Sequence, residues 1–236
     1  MAHAELGEPE IRVDEDLAAM AYREIRRAII DLRFQPGQRL HETYLAEWLG
    51  TSRTPIREVL KRLRGEGLIS SLSSRGAVVS QVSVEDVENA YLIIEVMEGL
   101  ASRLAAERHT DENAAEIREG LANMSAAAAA EDIAAWSAAD AQLHDTIRAS
   151  AQSEKLDLVA HIMYPTIERT RSMYLLEGSD PDRLTVSTTS HIALGHAVLN
   201  RESELAESRT RDLFRQARDH NVRLLKQWIV PLRRSF

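Results

Sequence analysis

Arg53, Arg57, Lys61, Arg62 and Arg64 crowd into the stretch TSRTPIREVLKRLRGEGLI, residues 51–69. A guanidinium is a planar fork that matches guanine O6 and N7, and both arginine and lysine bind phosphate. Arg53, Arg57, Lys61 and Arg64 recur at i, i+4, i+8 and i+11, so a helix lines them along one face. Ile56, Val59, Leu60 and Leu63 recur at i, i+3, i+4 and i+7 and form the opposite, buried stripe. A cationic face backed by an apolar one fits a nucleic-acid reader. The chain as a whole is acidic, with a formal net charge of −8 over 236 residues. That charge is unevenly divided: residues 21–80 carry +5, residues 1–20 carry −5 and residues 81–236 carry −8. A compact basic block joined to a larger acidic one points to a nucleic-acid module attached to something else.

The elements that must position these cations can be read around them. Residues 17–33 place Tyr22, Ile25, Ile29 and Leu32 at helical spacing, and Pro36 and Gly37 then break the chain. ETYLAEWLG predicts a second helix, with Leu45, Ala46 and Leu49 inward and Gly50 at its C-terminal cap. The cationic stretch is the third helix, with Ser52 as N-cap and Pro55 tolerated in the first turn. LISSLSSRGAVVSQV reads as two short strands around a Ser-rich turn that carries Arg75 and Gly76. Three helices and a β-hairpin make a winged helix-turn-helix, in which the second motif helix enters the major groove. Arg75, at the wing tip, is placed to meet the minor groove or a phosphate.

PGQRLHETYLAEWLGTSRTPIREVLKRLRGEGLISSLSSRGAVV closely resembles the DNA-binding domain of the GntR family of bacterial transcription regulators. The resemblance implies a homodimer that reads a short inverted repeat in double-stranded DNA. Carried over by position, it implies DNA contacts from Ser52, Arg53, Thr54, Arg57 and Gly76. Thr43 stands where some members have a DNA-contacting arginine, which implies an altered base preference.

From Val84 onward the pattern is helical almost throughout. Helices fit residues 84–109, 111–129, 131–150, 153–176, 181–200 and 202–229, with breaks such as EGSDPDR, and predict an antiparallel bundle of six or seven helices. The fold class is therefore mainly α. Residues 1–16 are an acidic tail, 17–82 the winged helix-turn-helix, and 83–236 an all-helical effector-binding and dimerisation domain.

This second half resembles the FCD effector domain of the FadR subfamily, whose characteristic chemistry is a metal held by an Asp and three His. By position the resemblance implies Asp140, His144 and His191 as ligands of one Zn, Ni or Mn. Asp140 and His144, at i and i+4 in DAQLH, share a helix face and can converge on one ion. The position of the fourth ligand is Leu213, Ile94 replaces an arginine and Ser153 a common asparagine. His220 lies seven residues beyond Leu213, about 10 Å along the helix. On the bare residues, Asp140 and His144 read equally as a hydrogen-bonded core pair. His109, His161 and His196 read as surface or core histidines, and Trp136, Trp228 and Met173 as packing residues.

The function implied is a ligand-responsive DNA-binding transcription regulator, a repressor by family habit, whose effector is a small organic acid held through a metal. The alternative is a metal-free regulator that binds a larger apolar or acyl-CoA-type ligand. A remoter one treats Asp140, His144 and His191 as the two-His-one-carboxylate set of a metalloenzyme, but no separate acid, base or nucleophile set accompanies them. The expected class is not an enzyme. With no cysteine, no apolar run long enough to span a membrane and an acidic start unlike a signal peptide, the expected location is the bacterial cytoplasm, at the nucleoid when DNA is bound.

Overall fold

The computed structural model describes residues 16–73, 76–177 and 181–232. The acidic tail before Asp16 and the wing-tip residue Arg75 lie outside them, as do the side chains of Met173 and Trp228. The described residues form two compact units. One runs to Asp86 and includes Tyr164–Met173; the other holds Val87–Met163 and the chain from Tyr174 onward.

In the first unit, α1 (Leu17–Ile30) begins at Asp16, whose carboxylate accepts from the Ala18 amide at 3.3 Å. It ends three residues short of the expected Arg33, because Leu32 takes a left-handed φ of 59° and turns the chain back. The Phe34 amide then bonds the Ala28 carbonyl at 2.9 Å, closing the helix end, and the Phe34 ring meets Trp48 edge-on. A two-residue strand, β1 (Arg39–Leu40), precedes α2 (Glu42–Trp48) and α3 (Arg53–Gly65). Strands β2 (Ile69–Ser73) and β3 (Gly76–Val79) follow, and the antiparallel sheet has the order β1-β3-β2.

The expected hairpin thus gains a third strand, since Leu40 pairs with Ala77 in register. A two-residue strand has no period to detect. Ile25, Ile29, Leu45, Ile56, Leu60 and Leu63 are fully buried and fix α3 against α1 and α2. Gly76, at φ 115°, lies so close to the Leu40 carbonyl that a Cβ there would collide with it. Within the same unit, Glu168 of the 164–173 segment accepts from Arg26 at 2.9 Å, and Arg169 donates to the Ser80 carbonyl.

After the sheet come α4 (Val84–Arg108), α5 (Asp111–Ala129), α6 (Ile133–Ser150), α7 (Glu154–Glu177), α8 (Pro181–Leu199) and α9 (Ser203–Leu232), which make up the second unit apart from the start of α4 and residues 164–173 of α7. Among the described residues these six helices meet the lower expected count. The starts of α5 and α6 are specified locally. Thr110 and Asn113 form a reciprocal capping box at α5, and Asp132 accepts from the Ala135 amide at α6. Arg201, itself left-handed at φ 61°, donates to the carbonyls of Ala106, Glu107 and His109 and satisfies the end of α4. Gly120 lets α6 pack closely through Leu143, and Gly195 lets α8 approach Leu121. The site-bearing helices α6 and α8 are thereby both held against α5.

Candidate nucleic-acid interface and metal centre

The turn between α2 and α3 is made by Gly50, left-handed at φ 61°, so that α3 leaves at a sharp angle. Ser52 occupies the N-cap position in extended backbone, but its hydroxyl makes no capping bond. This differs from its expected capping role: the Ser52 side chain is exposed, and the first amides of α3 keep their capacity for an anion. Arg53, Thr54, Arg57 and Lys61 line an open groove of about 400 Å³ on the outer face of α3. The structure therefore brings Ser52, Arg53, Thr54 and Arg57 to one exposed surface. Gly76 is buried against β1, which accounts for its glycine on packing grounds.

Not every cation of the stretch serves that face. Arg62 turns to α1, with its guanidinium 3.5 Å above the Tyr22 ring and 3.4 Å from Glu66. Glu66 also accepts from the Tyr22 hydroxyl at 2.8 Å, so Arg62 ties α3 to α1. Lys61 pairs with Glu58 at 2.8 Å in the open. One participant escapes a sequence reading. Glu42, at the start of α2 and only 5% exposed, accepts from Arg57 Nε at 3.1 Å, Arg57 Nη2 at 2.9 Å and Arg53 Nη2 at 3.2 Å. The hydrogen bond from Arg57, opposed by burial and aided by Arg53, holds the Glu42 carboxyl below its ordinary value.

In the second unit, Asp140 and His144 of α6 and His191 of α8 are each 1% exposed. His191 Nε2 lies 2.8 Å from Asp140 Oδ1 and 3.3 Å from His144 Nε2, and His144 Nε2 lies 3.8 Å from Asp140 Oδ1. The far side of the His191 ring is already engaged. His191 Nδ1 stands 2.7 Å from the Ser187 carbonyl, which can only accept, so Nδ1 carries a proton. His144 Nδ1 faces the Glu98 carboxylate at 3.6 Å. Nε2 of His191, Nε2 of His144 and an Asp140 carboxylate oxygen thus face a single point. Three ligand atoms within 4.8 Å of one another fit a cation, and two imidazoles with one carboxylate suit Zn, Ni or Mn.

A second tier supports this arrangement. Glu98 is fully buried on α4 and accepts from Arg148 Nη1 at 2.8 Å, while Arg148 also pairs with Asp145. Burial alone would raise the Glu98 carboxyl, but His144 and Arg148 outweigh it and hold it low. Trp136 meets His191 edge-on at 5.8 Å and donates to Thr188 Oγ1 at 2.8 Å, so it buttresses a ligand as well as packing. Phe214 covers His144 at 5.2 Å between centroids. Leu213, beside it, is 7% exposed, and among the described residues no fourth His, Asp or Glu joins the group, His220 included.

Residues 17–79 match the family described as bacterial regulatory proteins, gntR family, and residues 89–216 match the FCD domain. A transcriptional regulator of the helix-turn-helix type from Agrobacterium vitis is 37% identical over 134 residues, covering 56% of this chain and 78% of that protein. The transcriptional repressor RspR of Escherichia coli is 24% identical over 220 residues, 93% of this chain and 95% of that one. The solved structure of E. coli McbR/YncC aligns with a TM-score of 0.76 at 22% identity, over 91% of this chain and 99% of that chain, a likeness of fold. Both sequence relatives are regulators, so the metalloenzyme reading of the buried triad has no support. Among the described residues no helix is long and apolar enough to cross a membrane. With its basic helix-turn-helix in front and an FCD domain over more than half its length, the chain belongs to the gntR family of bacterial regulatory proteins, which are DNA-binding transcription regulators.

Proposed function

We propose that the protein is a metal-dependent, ligand-responsive repressor. Residues 17–82 bind an inverted-repeat operator as part of a homodimer, and residues 83–236 dimerise the chain and hold the effector. Ser52, Arg53, Thr54 and Arg57 supply the groove contacts, with Arg75 and Gly76 in the wing. Asp140, His144 and His191 hold one divalent Zn, Ni or Mn, and a small organic acid completes its coordination. The acid regulates by binding the DNA-competent and DNA-incompetent dimers unequally. As a regulator of this kind it works in the bacterial cytoplasm, at the nucleoid.

The observation that carries the effector half is the convergence of two imidazoles and a carboxylate in a buried site. Elemental analysis of the untagged protein, before and after dialysis against a chelator, tests it. Close to one ion per chain, lost in His191→Ala and Asp140→Ala, is the expected result. Absence of metal in wild-type protein refilled with Zn, Ni and Mn in turn would overturn it.

A specific observation favours a second reading of the effector. Ile94, one turn before Glu98 on α4, is fully buried, Leu213 is buried, and Phe214 lays an apolar ring against His144. A ligand with a larger apolar body, up to an acyl-CoA type, suits such walls better than a small polyacid. Operator binding titrated against both ligand classes separates the two.

A further inference from the structure

We propose that Glu42 is the positioning residue for base recognition: it holds Arg57 and Arg53 so that their outer edges are presented, already oriented, to the bases. The proposal rests on α3 being the groove-reading helix. Both oxygens of a nearly buried carboxylate are committed to these two arginines. The bond to Arg57 uses Nε and Nη2, the lateral edge of the guanidinium, in a two-pronged fork. What remains is the end-on edge formed by Nη1 and the second Nη2 hydrogen, the edge that spans guanine O6 and N7. Among the described residues Nη1 of Arg57 has no bond, and half of the side chain is exposed. Glu42 thus takes one edge and leaves the other.

A carboxylate here works against phosphate attraction, since each negative charge near the backbone weakens sequence-independent binding. Its placement is therefore explained by geometry and not by affinity. An exposed arginine otherwise loses rotamer freedom when it meets a base, and a pre-held one loses less. Lys61 supplies the contrast. Its partner Glu58 is itself 65% exposed, so that pair is loose and suits a phosphate contact.

The test uses the full chain and two duplexes: the one recovered by selection from a randomised pool, and a scrambled version of it. Affinity for each is measured by fluorescence anisotropy in wild type, E42Q, E42A, E47Q and R57A. E47Q removes one exposed carboxylate of α2 that touches neither arginine. The ratio of specific to scrambled affinity is expected to fall about tenfold in E42Q and E42A, while scrambled binding holds or rises. E47Q should leave the ratio unchanged. Adding E42Q to R57A should lower the ratio far less than E42Q does alone, because the main group it positions has gone. A purely structural role would lower Tm and leave the ratio intact; that result in folded E42Q overturns the proposal. If R57A also leaves the ratio unchanged, the recognition-helix assignment fails as well. A lowered ratio in R57A with an unchanged one in E42Q removes Glu42 alone.

Discussion

His191 Nε2 stands 2.8 Å from Asp140 Oδ1 while its Nδ1 is held 2.7 Å from the Ser187 carbonyl. A neutral imidazole has one N–H, so it can satisfy only one of these acceptors. With its Nδ1–H given to Ser187, Nε2 would face Asp140 as a lone pair, and a cation between them would be held by both. The same geometry makes metal retention sensitive to whatever fixes the rings from behind.

Glu98→Gln should therefore weaken metal binding by roughly 10- to 100-fold, the usual cost of losing an outer partner of a ligating histidine. Competition with a chromogenic chelator measures it. Operator affinity in the absence of effector should be unchanged, because Glu98 lies in the helical unit.

Leu213→His should tighten metal binding by about tenfold or more, near 1.4 kcal/mol. The position already sits beside Phe214, whose ring covers His144. Titration calorimetry of the apo-protein with Zn²⁺ gives the comparison. An unchanged affinity would mean that residue 213 does not face the ion.

Arg57→Ala should lower discrimination for the selected duplex by roughly ten- to a hundredfold, with a smaller loss on scrambled DNA. Thr54→Ala, which removes a hydroxyl and no charge, should affect both duplexes alike. Binding curves at two salt concentrations separate the effects, since only the arginine change flattens the salt dependence.

Glu42 also gives a pH signature. Its carboxyl is held below the ordinary 4.5, chiefly by the Arg57 hydrogen bond. A depressed folded value means that its contribution to stability is complete above the ordinary value and is lost as pH falls through the folded one. Wild type should therefore melt higher than E42Q at pH 7, and the two Tm values should converge as the pH falls below 4.5 and through the depressed value.

Gly76→Ala should lower the Tm of the N-terminal unit, at a cost of roughly 1–3 kcal/mol, because the added Cβ strikes the Leu40 carbonyl in a left-handed backbone. The loss would fall on β1 and β3 and spare the helical unit.

How much of this could be read beforehand depends on how far apart the interacting residues lie in the chain. The α3 face was legible because its apolar and cationic positions repeat within three turns. Strand β1 was not, since Arg39 and Leu40 show no alternation and owe their strand to pairing with β3. The Asp140–His144 spacing placed two donors on one helix face, but only the packing of α8 against α5 brings His191 to them. Glu42 lies 11 and 15 residues from its arginines, so composition sees an ordinary acidic residue. Ser52 reads as a cap from its type, yet its hydroxyl stays outside the helix. Trp136 reads as packing because aromatic spacing carries no sign of which side chain the ring will meet.

That last contact has an optical consequence. An indole held edge-on 5.8 Å from His191 lies within quenching range of any open-shell ion the imidazole binds. Ni²⁺ entering the site should darken Trp136 emission, whereas Zn²⁺, with its closed shell, should shift it without extinguishing it. Trp48, edge-on to Phe34 in the other unit, keeps a constant background. Trp136 emission would thus report which ion, if added, enters the site.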